Sequence, residues 1–102
     1  MTHEKIFVLE TGRSVKLIIQ NAYEQNDLKS EPEIDVLIRE PKEPEFRPPI
    51  GVTHPQFWKL KKLDLKHSRM LQMEYSGLND KHIKSALKEM KSLAEKATAD
   101  LH

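Results

Sequence analysis

Four prolines and one glycine crowd the stretch "PKEPEFRPPIGVT", residues 41–53. Proline has no backbone N–H to donate, and its ring collides with the preceding helical turn. Neither a helix nor a central strand runs through such a segment. The chain is therefore cut into two parts with different patterns. Residues 5–40 hold short apolar runs of the kind strands use, and residues 54–102 carry helical rhythm with no proline after Pro55. This order predicts an α+β fold in one domain spanning residues 1–102, with strands over 5–40, a proline-rich connection over 41–53 and two helices over 54–102. The connection itself reads as extended chain, laid across the sheet with Phe46 and Ile50 tucked in. Its alternative is a docking peptide, "FRPPIG", for an aromatic groove.

In the first part, "KIFVLETGRSVKLII" predicts a β-hairpin about a two-residue Thr11-Gly12 loop. That register sets Glu10 opposite Arg13, Val8 opposite Val15 and Ile6 opposite Leu17, with the apolar face shared by both strands. "EIDVLIRE" alternates again, with Ile34, Val36 and Ile38 on one face and Asp35 and Arg39 on the other. The result is a three-stranded antiparallel meander. A competing reading makes Val15, Ile18, Ile19, Ala22 and Tyr23 one face of a helix and "ETGRS" a phosphate-holding turn before it. A single glycine argues weakly for a phosphate cradle.

The second part opens with Thr53, Pro55 and Gln56, the spacing of a capping box with proline in the first turn. Phe57, Leu60, Leu63, His67, Met70, Leu71 and Glu74 follow at helical steps. His67 reads as a histidine with a local hydrogen bond, because no other histidine stands at ligand spacing from it. Gly77 suits a left-handed helix end, Leu78 its hydrophobic contact, and Asn79 the cap of the next helix. Ile83, Leu87, Met90, Ala94, Ala97 and Leu101 then step as a heptad seam. A seam of that length predicts a neighbouring helix of similar length, hence an antiparallel helical hairpin. Lys81, Lys84, Lys88 and Lys91 fall mostly on its outer side.

The same turn resembles the second half of a DNA-reading helix-turn-helix, through Gly77, Leu78, Asn79, Ile83, Ala86 and Leu87. The resemblance covers about twelve residues. The chain departs from that pattern at Met73, where a small residue is usual, and at Ser76, where an apolar one is. If residues 69–88 were such a corner, Asn79, Lys81, His82, Lys84 and Ser85 would face the groove, and Lys62, Lys66 and Arg69 would contact the backbone.

Composition narrows the function further. The chain has 102 residues, 32% of them charged, and no cysteine. Disulfides and thiolate metal sites are excluded, and the start lacks the pattern of a signal peptide. The longest apolar runs, "IFVL" and "LII", are too short to span a membrane. Residues 1–50 carry a net charge of −3 and residues 51–102 one of +4, a weak field toward a polyanion. No nucleophile–base pair, paired carboxylates or specific phosphate loop stands out, so neither catalysis, metal nor cofactor is expected. The expectation is a cytoplasmic, non-enzymatic binding or assembly protein, self-associating or with a protein partner. Its surplus apolar residues are Phe57, Trp58, Leu65, Met73 and Leu78. DNA binding through the corner at 69–88 is the alternative.

Overall fold

The computed structural model of the chain describes residues 2–20 and 33–100. Three strands, β1 (Thr2–Val8), β2 (Ser14–Gln20) and β3 (Glu33–Arg39), form one antiparallel sheet in the order β1-β2-β3. Helices follow: α1 (Phe57–Lys61), α2 (Leu65–Ser76) and α3 (Asp80–Asp100). The α+β order read from the proline segment is the observed one. Ser14–Gln20 is strand, which removes the helical reading of Val15, Ile18 and Ile19. Ala22 and Tyr23, its other members, lie outside the described residues.

The hairpin register differs from the expectation by one residue. Phe7 pairs with Val15, Ile6 with Lys16 and Lys5 with Leu17. The loop holds three residues, Glu10, Thr11 and Gly12. Gly12 N–H donates to the Leu9 carbonyl at 2.9 Å, and Leu9 N–H donates to the Arg13 carbonyl at 2.8 Å. This is a type I turn closed by a bulge, with Gly12 at φ 89° in the left-handed region that such a bulge requires. A one-residue slip turns every side chain of β1 over. His3, Lys5, Phe7 and Leu9 therefore face the core, while Ile6 and Val8 face outward at 52% and 72% exposure. Arg13, expected opposite Glu10, instead pairs with Glu40 and donates to the carbonyls of Tyr75 at 3.0 Å and Ser76 at 3.2 Å. It so satisfies open carbonyls at the end of α2.

The core lies between the sheet and α3. Val15, Leu17 and Ile19 of β2 and Val36 and Ile38 of β3 are buried with Leu78, Ala86 and Met90. Each large side chain among these contributes roughly 1.5–3 kcal/mol by leaving water. Ile34 packs against the same cluster, so the inward row expected of β3 is the observed one.

The proline-rich connection adds to the sheet's edge. Arg47 pairs with Ile38 through two backbone hydrogen bonds, 2.7 and 2.8 Å long. Phe46 lies on the outer face beneath Lys16 and Arg39, whose cationic centres stand 4.4 and 4.9 Å from the ring centroid. Ile50 is 2% exposed. Its backbone N–H and carbonyl are both taken by the Gln72 amide, at 2.7 and 3.0 Å.

The helices begin and end differently from the sequence reading. No capping box forms at Thr53; Gln56 is the N-cap of α1 and makes no side-chain cap. Its N–H instead donates to His54 Nδ1 at 3.0 Å, within a run of tight turns from Gly51. The expected single helix before Gly77 is two helices broken at Lys62–Asp64. Asp64 caps α2, its carboxylate accepting from His67 N–H at 2.8 Å. A carboxylate one atom beyond the backbone competes with helix continuation, which ends α1 in a 3₁₀-like turn. His67 Nδ1 bonds back to Asp64 at 2.8 Å, the local partner expected of it. α2 turns its Arg69, Gln72, Met73 and Ser76 side inward, leaving Met70 exposed.

At Gly77 the expectation holds. It sits at φ 91°, and Leu78 after it is buried. An alanine Cβ there would stand 3.0 Å from Leu9 Cδ1. Asn79 caps α3 reciprocally with His82: Asn79 Oδ1 accepts from His82 N–H, and His82 Nδ1 accepts from Asn79 N–H, both at 3.2 Å. α2 runs along β3, and α3 crosses the core face and approaches β1. The apolar stripe of α3 thus meets the sheet through Ala86 and Met90. Lys81, Lys84, Lys88 and Lys91 are exposed, as the pattern implied. Leu101, the last residue of the expected seam, lies outside the described residues.

Candidate interaction surface

A groove lies between α2, the start of β3 and the first turn of α3. Its volume is about 490 Å³, and its lining includes Ile34, Leu65, Met70, Met73 and Ile83. Each reaches the groove for a local reason. Asp64 starts α2 so that Leu65 opens its first turn. Met70, on the exposed side of α2, and Met73, on its inward side, lie a helical step apart and both border the groove. Ile34 opens the core face of β3, and Ile83 stands in the first turn of α3. Leu65 and Met70 are 63% and 58% exposed. Methionine and leucine surfaces of this kind adapt to apolar partners.

Charges rim the groove at Glu33, Lys66 and Arg69. Arg69 is held by Asp35 at 3.1 Å and Glu33 at 3.6 Å, which ties α2 to β3 and fixes that wall. Trp58 lies on α1 with its indole largely exposed, edge-on to Phe57 at a centroid distance of 5.5 Å.

The five residues expected to bind protein divide accordingly. Leu65 and Met73 line the groove. Trp58 is exposed on α1, and Phe57 is half-buried beside it under the Lys61 ammonium. Leu78 is a core residue, because the left-handed Gly77 turns it under the sheet. Contrary to the expectation, it offers no exposed surface to a partner. Met70, Ile34 and Ile83 belong to the groove and were placed in stripes expected to be buried. Periodicity marks a face as apolar and does not say whether that face is covered.

The residues of the DNA alternative divide as well. Lys62, Lys66, Lys81, Lys84 and Ser85 are exposed. Asn79 and His82 cap one another, and the His82 ring stands edge-on to Phe7 at 4.9 Å. Arg69 is engaged with Asp35 and Glu33. Three of the eight are therefore already bound within the chain.

Three carboxylates are held below their usual range. The Arg47 guanidinium does so at Glu43, the His67 backbone N–H at Asp64 and the Lys5 ammonium at Glu89. All three are at structural contacts away from the groove. Among the described residues, no group of three or more metal-ligating side chains converges, and no helix is long and apolar enough to cross a membrane. Comparison with protein families, with curated proteins and with solved structures finds no match to this chain.

Proposed function

We propose that the protein acts by binding another protein, without chemistry of its own, through the groove between α2, β3 and α3. The observation that carries this reading is the open apolar lining, with Leu65 and Met70 exposed between fixed walls. An apolar segment of a partner would fill it, and Lys66 and Glu33 at the rim would set its orientation. Trp58 extends the apolar surface on the neighbouring helix.

The test compares what the chain retains from a lysate before and after Met70→Glu. Met70 is exposed, so the fold tolerates the charge. Val52→Glu, at a site 78% exposed and outside the groove lining, serves as control. The reading expects partners lost with Met70→Glu and kept with Val52→Glu. Identical retention by both variants contradicts it.

A second reading rests on the exposed row Lys81, Lys84, Lys88 and Lys91 on α3. A duplex-DNA mobility shift that weakens steeply with salt would favour it. Its absence at low salt removes it.

A further inference from the structure

Among the described residues, the outer edge of β1 carries no partner strand. Leu9 N–H donates to the Arg13 carbonyl, which sets the phase of the whole β1–β2 ladder. Hydrogen-bonded pairs recur at every second residue. Phe7, Lys5 and His3 therefore bond to β2, while the backbone groups of Val8, Ile6 and Glu4 point away from it. The far side of the sheet obeys the same phase, since Ile38 is the β3 residue that bonds outward to Arg47.

An added antiparallel strand bonds through Glu4, Ile6 and Val8, so a two-fold axis passes through one of these or through Lys5 or Phe7 between them. At Lys5 it sets two ammonium groups directly opposite, and at Phe7 it pairs only residues 6–8 of each strand. At Glu4 it sets two like carboxylates directly opposite, which is unfavourable. At Val8 it leaves most of the strand unpaired. At Ile6 it sets Ile6 against Ile6 and Glu4 against Val8, with Lys5 facing Phe7 on the inner side. An ammonium beside an aromatic ring is a favourable neighbour, and Lys5 already stands 5.9 Å from the Phe7 centroid of its own chain. An inward charge on an edge strand usually deters pairing. Here that charge is met by Glu89 on α3, 2.6 Å away.

We propose that β1 pairs antiparallel with β1 of a second copy about an axis at Ile6, joining two sheets into one of six strands. About six backbone hydrogen bonds would form, and the exposed Ile6 and Val8 side chains would pack across the axis. The inference rests on β1 alone and is independent of the groove.

Two single-cysteine variants test it, in a chain that has no other cysteine. The proposed register sets the two copies of Ile6 about 5.5 Å apart at Cα, within disulfide reach. It sets the two copies of Val8 about 14 Å apart, beyond it. Under mild oxidation Ile6→Cys should form a covalent dimer, and Val8→Cys, at the more exposed site, should not. Equal crosslinking of the two, or none in either, overturns the proposal. Ile6→Pro removes an outward donor and leaves the β2 ladder untouched. By sedimentation it should abolish the concentration-dependent dimer of the parent chain. A parent chain monomeric to millimolar concentration, or a folded Ile6→Pro that dimerises as the parent does, also overturns it. Val8→Lys sets a cation opposite Glu4 and should tighten the dimer about two- to five-fold.

Discussion

The two edges of this sheet have opposite fates. At β3 the edge is closed: Arg47 bonds to Ile38, two prolines follow it, and α2 lies alongside through Arg69 and Gln72. At β1 no described strand pairs with the edge, and Ile6 and Val8 turn outward. The difference comes from where the irregular residues sit. A segment that cannot be a central strand covers one edge, and a single glycine bulge sets which side chains the other edge presents.

Proline at each edge separates them most sharply. Ile38→Pro removes the donor to Arg47 from a buried strand residue, and should destabilise by about 3 kcal/mol or more. Ile6→Pro should cost the isolated chain less than about 1 kcal/mol, because its donor has no acceptor among the described residues. Urea denaturation compares the two directly, and equal losses would erase the distinction between the edges. Gln72→Ala comes next. It strands the buried backbone groups of Ile50, at about 2 kcal/mol, and loosens α2 from the connection. Arg69→Ala should cost about 0.5–1 kcal/mol, since both its ion pairs are partly exposed. Its loss should fade in high salt, whereas that of Gln72→Ala should persist.

The smallest effect is that of acid. Glu43, Asp64 and Glu89 have folded-state pKa values held below the ordinary carboxylate range. Such groups stabilise the fold above their unfolded pKa and lose that contribution as pH falls through the folded value. Stability should therefore be level from neutral pH to about pH 4 and decline below it. Asp64→Asn keeps a capping side chain and loses the charge, so the acid decline should become shallower.

Much of this architecture was legible in the sequence because its signals are local. The proline segment divided strands from helices, the alternation of "EIDVLIRE" placed Ile34, Val36 and Ile38 inward, and Gly77 ended α2. What escaped depended on choices that composition does not resolve. A glycine in a hairpin suits both a two-residue and a three-residue loop, and that choice reverses every side chain of β1. Asp64 sat within an apparently continuous apolar stripe, where only its bond to His67 shows that one helix stops and another starts. Of the candidate site, Leu65 and Met73 were named from surplus apolar content alone. Met70 and Ile83 were missed because a helical stripe looks the same whether it is buried or lines an open groove.

Amide hydrogen exchange tests the contrast between the edges most directly. In dilute solution Phe7 and Lys5 should be protected and Ile6 should exchange fast, while Ile38, bonded to Arg47, stays protected. On concentration, Ile6 should slow and Ile38 should not change. An Ile6 amide already protected at high dilution, or an Ile38 amide exchanging as fast as Ile6, would contradict an account in which one edge is closed and the other open to a second copy.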